Sequence, residues 1–166
     1  EFFPEEGKYH YDGHRLCKTR LAPAQTRRLN NLCPACGKPV TVGVMNRMEK
    51  LADRPVGGKP ERVIPFKSLV PLDEIIAEGL GLGTSAKRVK EEYQNIVSKI
   101  GSEFSVLVDA SRSEIEAAAI PEVAEGIMRV REGRLQIEPG YDGEYGKVKI
   151  FEEGQRKDAS GQASLF

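Results

Sequence analysis

The chain has 166 residues, 39% of them hydrophobic and 30% charged, with a formal net charge of zero. That is room for one ordinary domain or for a small module joined to a larger one, and no apolar run approaches the ~18 residues of a membrane span. The opening Glu1-Phe2-Phe3-Pro4-Glu5-Glu6 has neither the basic start nor the apolar stretch of a secretory signal; lacking an initiator Met, the chain is expected to be a fragment of a larger protein.

The N-terminal segment carries two close pairs of metal-competent residues, His14-x-x-Cys17 and Cys33-Pro-Ala-Cys36. Spacing of this kind lets both members of a pair reach one ion from a single turn, as a tetrahedral zinc site requires. All three cysteines belong to the set, and an odd number suits metal binding in a reducing, cytoplasmic compartment better than a disulfide framework. The expected ligands are His14, Cys17, Cys33 and Cys36, with His10 as the alternative fourth ligand. Four protein ligands leave no open position, so Zn2+ is expected to be structural. A catalytic zinc would need an open position and a nearby general base, for which Asp12 is the one acid close to the pairs. A thioredoxin-like redox pair is the rival for Cys33 and Cys36, but no βαβ pattern surrounds them.

Charge is unevenly spread. Residues 7–54 hold ten basic residues and three acids, a net +7, and the rest of the chain balances it. Such a segment points to a polyanion contact at the metal end; a solvated surface with chance clustering is the plainer reading.

Further along, Pro34, Gly37 and Pro39 mark a tight turn, with a short strand expected at Val40-Thr41-Val42. Residues 23–29 read as a short helix or turn. Val44, Met48 and Leu51 recur at helical spacing, predicting a helix over 44–53 that Pro55 stops. Pro55, Gly57, Gly58, Pro60 and Pro65 mark a linker. A helix over 71–79 then presents Leu72, Ile75, Ile76 and Leu80 on one face, and a second presents Val89, Tyr93, Ile96, Val97 and Ile100. Thr84 or Ser85 is the expected cap of the second helix, and Gly101 its stop. Residues 104–108 suggest a strand, 114–120 and 121–131 two short helices, and 135–137 and 147–151 strands around a turn at 139–143. The tail from Glu152 is polar.

The Gly81-Leu82-Gly83 turn between the two amphipathic helices is followed by Lys87, Arg88 and Lys90. Cations in a first helical turn oppose the macrodipole, unless they and the free N–H groups together grip a phosphate. The pattern is similar to a helix-hairpin-helix DNA-binding motif, with Ala86 one residue early; an αα-hairpin with a convenient glycine turn fits equally.

Several motifs together resemble a known family. They are Pro4-Glu5-Glu6-Gly7-Lys8-Tyr9-His10, Asp12-Gly13-His14-Arg15-x-Cys17, Cys33-Pro-x-Cys36-Gly37-Lys38, Leu51-Ala52-Asp53-Arg54 and Pro139-Gly140-Tyr141-Asp142-Gly143-x-Tyr145-Gly146. They resemble the region following the polymerase-and-histidinol-phosphatase (PHP) domain of endonuclease Q-like proteins, a region also found in bacterial proteins that carry a UvrD/Rep-type helicase. The resemblance implies a DNA-repair context in which a zinc module and a helical region help a metal-dependent nuclease hold damaged DNA. It also implies an upstream PHP domain and, in one branch, a helicase domain. The nuclease's catalytic residues would lie outside this chain, and no phosphate-binding Gly-x-x-x-x-Gly-Lys-Ser/Thr loop is present. Some archaeal relatives carry cysteine where His14 stands, which favours His14 as the matching ligand. The final Gln162-Ala163-Ser164-Leu165-Phe166 resembles a sliding-clamp docking peptide in which Gln162, Leu165 and Phe166 make the contacts.

The expected fold class is α+β: a zinc-ribbon-like module over 1–43, then a mainly helical region with a few short strands over 44–152, with the helix-hairpin-helix-like segment near 72–100 and a flexible tail over 153–166. The expected function is a noncatalytic DNA-binding and scaffolding region of a repair hydrolase. Phosphate contacts are expected from Arg15, Lys18, Arg20, Arg27, Arg28 and Arg47, with a second set from Lys87, Arg88 and Lys90. The alternative is a protein-interaction adaptor that docks a nuclease, helicase or clamp without touching DNA.

Overall fold

β1 (Asp12–His14) and β2 (Thr19–Leu21) pair antiparallel, with Asp12 opposite Leu21 and His14 opposite Thr19. The 3-10 turn Arg15–Cys17 joins them. In the computed structural model, residues 1–152 are described apart from Val56, Lys59, Pro60, Glu61 and Val63. The expected clamp-docking residues Gln162, Leu165 and Phe166 lie outside the described residues. The fold is mixed helix and strand, as expected.

Two compact units make up the chain. The first takes Phe3–Lys67 and Ile137–Val148; the second takes Ser68–Gln136 and the segment beginning at Lys149. The first unit is therefore discontinuous, and its boundary falls beyond residue 43.

In the first unit, α1 (Pro23–Arg28) starts where the Ala22 N–H donates to Gln25 Oε1 at 2.9 Å. A small apolar cluster of Leu21, Cys33 and Val40, flanked by Cys17 and Leu29, sits beneath the cysteine turns. The expected strand at 40–42 is reduced to one bridge, Thr41 to Gly13. α2 (Val44–Leu51) forms where predicted, but Val44, Met48 and Leu51 are 57%, 56% and 65% exposed. The buried face of α2 carries Asn46 instead.

What anchors α2 is polar. The carboxylate of Asp12, fully buried, accepts from the Gly43 N–H at 2.6 Å and from Asn46 Nδ2 at 2.8 Å. It thereby satisfies a donor at the helix start that would otherwise be orphaned. Residues 137–148 close on the N-terminal segment by backbone bonds: Tyr11 N–H to Gly140 O at 2.9 Å, Gly140 N–H to Glu5 O at 2.7 Å, Gly143 N–H to Lys8 O at 3.0 Å and Gly146 N–H to Glu6 O at 3.0 Å. Glycine is required at 140 because a Cβ would collide with the Gly7 and Glu144 carbonyls. At 13 a Cβ would run into the Tyr141 ring and the Thr19 carbonyl.

The second unit is built on α3 (Leu72–Leu80), α4 (Lys87–Ile100), α5 (Arg112–Ala118) and α6 (Pro121–Glu132). α3 packs on α4 and α6, and α5 packs on the same two helices. Leu72, Ile75, Ile76, Val89, Ile96, Ile115, Val123 and Ile127 are fully buried, the stripe at helical spacing that defines a core face. α3 ends in a Schellman cap, with Gly81 left-handed and the Leu82 N–H donating to Ala77 O at 2.9 Å.

Carboxylates from distant positions complete the backbone accounting. Glu103 accepts from the Leu72 N–H at 2.8 Å, Glu92 from the Ile120 N–H at 3.1 Å, and Glu78 from the N–H groups of Ile150 and Phe151. α5 has a capping box between Ser111 and Glu114, and the Ser111 hydroxyl holds the Glu114 carboxyl below its ordinary range.

Two expectations in the second unit are corrected. The strand at 104–108 is a π-helical turn, Ser105–Asp109. It buries the adjacent residues Val106 and Leu107 while Phe104 is 71% exposed, so the run does not alternate as a strand would. The Arg131 guanidinium donates to the carbonyls of Val106, Leu107 and Ala110, supplying donors that the irregular turn itself lacks. The cap of α4 is Ala86, with no side-chain bond, rather than Thr84 or Ser85. β3 (Gln136–Glu138) and β4 (Lys147–Lys149) form a second two-stranded sheet. β4 ends before Ile150 and Phe151, which are buried.

Candidate metal centre and its basic surroundings

His14 closes β1 and Cys17 closes the following 3-10 turn. Lys18, immediately after, takes a left-handed conformation with φ 49°. The second pair repeats the device: Gly37, directly after Cys36, has φ 71° and its N–H donates to Cys33 O at 2.8 Å. A left-handed residue after the second ligand folds each pair into a tight turn. The ladder bond from the Cys33 N–H to Lys38 O, 2.8 Å, closes the second turn.

These turns bring His14, Cys17, Cys33 and Cys36 together, with their ligand atoms all within 4.8 Å of one another. Cys36 Sγ lies 3.4 Å from His14 Nδ1, and Cys33 Sγ lies 3.6 Å from Thr19 Oγ1. A tetrahedron with ~2.3 Å metal–sulfur bonds has sulfur–sulfur edges of about 3.8 Å, so the four atoms fit around one ion with little movement. The cluster can hold a metal ion. His10 is not part of it: its side chain is buried and its ring stacks on Tyr11, with 5.4 Å between centroids.

Burial pushes the Cys33 thiol up, but the Thr19 hydroxyl, the Ala35 and Cys36 N–H groups and His14 together bring it down to about 6. The hydrogen bond with Cys36, burial and the neighbouring Cys33 push Cys17 up to about 11. One thiolate forms readily and a second beside it does not. A bound cation removes that conflict, because it favours the ionised form of every thiol it touches.

Asp142 braces the first ligand turn. It accepts from the Arg15 N–H and from the Thr41 hydroxyl, each at 2.6 Å. Burial raises this carboxyl, but those two bonds and the charges of Arg15 and His14 outweigh it and hold it below the usual range. Spacing gave no hint of this role, since Asp142 is 127 residues from Arg15; the Tyr141-Asp142-Gly143 motif was the only sequence signal.

The predicted basic residues are dispersed. Arg15, Lys18 and Arg20 line one groove in the first unit, joined there by Lys147. Arg27 is tied up in an ion pair with Glu49. Arg28 and Arg47 are exposed. In the second unit, Lys87 pairs with Glu91 at 3.5 Å, while Arg88 and Lys90 are exposed.

The MJ0043 C-terminal domain family matches residues 71–134, the four-helix part of the second unit. Protein MJ0043 of Methanocaldococcus jannaschii is 36% identical over 147 residues, 89% of this chain and 18% of that protein. YqxK of Bacillus subtilis is 28% identical over 147 residues, 88% of this chain and 34% of that protein. The crystal structure of the lesion-specific endonuclease PfuEndoQ from Pyrococcus furiosus matches with a TM-score of 0.78 at 36% identity, covering 92% of this chain and 37% of that one. A crystal structure of endonuclease Q in complex with a 27-mer duplex substrate, with an abasic lesion at the active site, matches with a TM-score of 0.72 at 36% identity, covering 92% and 38%. The chain spans well under half the length of each of these proteins. Over nearly its whole length, it is similar in sequence and in fold to one region of endonuclease Q.

Proposed function

We propose that this chain is a noncatalytic, zinc-containing DNA-binding and scaffolding region of a DNA-repair enzyme whose catalytic residues lie outside it. The observation that carries the reading is the joint presence of a four-ligand cluster and a groove lined by Arg15, Lys18, Arg20 and Lys147 in a chain similar to a region of endonuclease Q. A relative crystallised with a lesion-bearing duplex supports DNA as the partner.

Zinc is the ion that the donor set favours: three sulfurs and one imidazole nitrogen, tetrahedral, with no ligand position left for substrate. Three thiolates and a neutral imidazole leave the centre at about −1, which neighbouring Arg15, Lys18 and Lys38 complement. Its role would be to hold the two ligand turns, with His14 as the fourth ligand. The free thiols suit a reducing compartment such as the cytoplasm.

Titration of the chain with a fluorescently labelled duplex tests the DNA reading. Affinity should fall steeply with salt, with a slope of about −0.9 per phosphate contacted. Absence of salt-sensitive binding at low ionic strength would defeat it. Zinc content tests the ligands: His14→Ala should lose metal and His10→Ala should keep it, and the reverse result would exchange their roles.

A second reading, a protein-docking adaptor, has one observation in its favour. The outward apolar side chains of α2 border a groove of about 520 Å3 lined by Tyr9, Tyr11, Val44, Met45 and Met48. Contiguous apolar surface of this kind suits a protein contact. Met48→Glu would then abolish capture of a nuclease or helicase partner while leaving DNA affinity intact. A PHP-type endonuclease or a UvrD/Rep-like helicase as the parent enzyme belongs to the first reading, and clamp docking through Gln162, Leu165 and Phe166 to this one. Deleting residues 162–166 should remove clamp affinity, and an unchanged affinity would discard that part.

A further inference from the structure

The groove beside the ligand turns combines cations with an exposed aromatic ring. Arg15, Lys18 and Arg20 come from one stretch of chain, and Tyr145 and Lys147 come from another more than a hundred residues later. Arg20 joins the two, because its Nη1 donates to Pro139 O at 3.1 Å. The acids on the walls are Glu138 and Glu144, and Glu144 lies 3.9 Å from Arg15 Nε. Four cations thus face two carboxylates. Lys18 and Lys147 make no ion pair among the described residues.

The Tyr145 ring is 67% exposed, although Lys8 Nζ lies 4.4 Å from its centroid. A cation against the ring steadies it without covering it. Burial does not account for an aromatic side chain in this position, so it adds nothing to the core of its unit. Bases stack on such rings, but only once they have left the duplex stack. The cavity, about 330 Å3, is at the lower end of the range for small-ligand sites. It is large enough for a nucleotide.

We infer that this groove takes an unpaired stretch of nucleic-acid strand, with Arg15, Lys18, Arg20 and Lys147 on its phosphates and Tyr145 stacked on an extruded base. The inference rests on the DNA-binding reading and narrows it to single-strand contact. An acidic peptide would use the same cations but has no flat π face to match the ring.

The test is fluorescence anisotropy on the full zinc-loaded chain at low ionic strength, with a labelled oligothymidine and a fully paired duplex of equal length. Tyr145→Ala should weaken oligothymidine binding about tenfold, within the range for loss of one stacked base, and Tyr145→Phe should restore it. Lys147→Ala should reduce the salt slope on the single strand by about 0.7. Arg112→Ala, which removes a second-unit cation paired with Glu116 and Glu132, should leave single-strand affinity unchanged. Zinc content and circular dichroism of each variant confirm that it is folded. Unchanged oligothymidine affinity in folded Tyr145→Ala would overturn the inference, and so would binding of duplex without single strand; both leave the broader DNA-binding reading standing. Polyglutamate competing as strongly as oligothymidine would overturn it in favour of an acidic protein partner. Failure of the unaltered chain to bind either DNA would instead defeat the DNA-binding reading itself.

Discussion

The two units are stabilised by different chemistry. The second buries branched aliphatic side chains from four helices: Leu72, Ile75, Ile76, Ile96, Ile115 and Ile127 are sealed from solvent. Among the described residues, the first has only the Leu21, Cys33 and Val40 cluster, and its other fully buried side chains include Asp12, Thr26 and Asn46. It spends apolar residues on its surface instead, as the outward face of α2 demonstrates. A unit with so little apolar burial draws its stability from its hydrogen-bonded backbone, and a metal held at the cysteine turns would add to it. One half of the chain is therefore a conventional core, and the other a polar scaffold closed at its cysteine turns.

Metal removal should separate them most sharply. A structural zinc site is worth roughly 10–16 kcal/mol in small modules, so chelation or Cys33→Ser should unfold the first unit and keep most of the helical signal of α3 to α6. Far-ultraviolet circular dichroism with thermal scans reads this directly. Retention of a single unchanged transition after metal loss would break the contrast.

A cut into the aliphatic core is the reciprocal experiment. Ile76→Ala should cost about 2–5 kcal/mol through lost contacts and the cavity left behind, measured by denaturant unfolding, with zinc stoichiometry unchanged. Loss of zinc in that variant would mean that the units are coupled far more than their separate interiors suggest.

The polar scaffold has its own weak points. Asp12→Ala leaves the Gly43 N–H and the Asn46 amide without their buried acceptor, at about 1–3 kcal/mol. The loss should concentrate in α2, where amide hydrogen exchange would show it. Uniform exchange changes across both units would argue against a local anchor.

The smallest expected effect is a pH dependence. Asp142 is held below its ordinary value in the folded chain. Its contribution is therefore fully present above about pH 4, the unfolded value, and is lost as pH falls through the lower folded value. Asp142→Asn should flatten that part of the acid limb of first-unit stability. An acid limb that survives unchanged in the variant would assign it to other carboxylates.

Much of this molecule was legible in its residues. The x2 spacing of His14 with Cys17 and of Cys33 with Cys36 anticipated which side chains meet, because each pair is set by a single local turn. Periodicity anticipated α3 and α4, and glycine marked their ends at Gly81 and Gly101, since helices are governed by contacts three and four residues apart. The same local logic failed at 104–108, where Val106 and Leu107 are buried side by side and Arg131, from another helix, supplies the donors. It was also silent on the outward face of α2, because an apolar stripe does not reveal whether anything covers it.

Tertiary structure alone decided how residues 137–148 join the N-terminal segment. That docking rests on backbone atoms approaching so closely that Gly140 and Gly146 admit no side chain, and main-chain hydrogen bonds between distant segments leave no periodic trace. Asp142 against Arg15, and Tyr145 and Lys147 beside Arg15, Lys18 and Arg20, follow from it. Local spacing specified the ligand turns; only the long-range fold assembled the groove beside them.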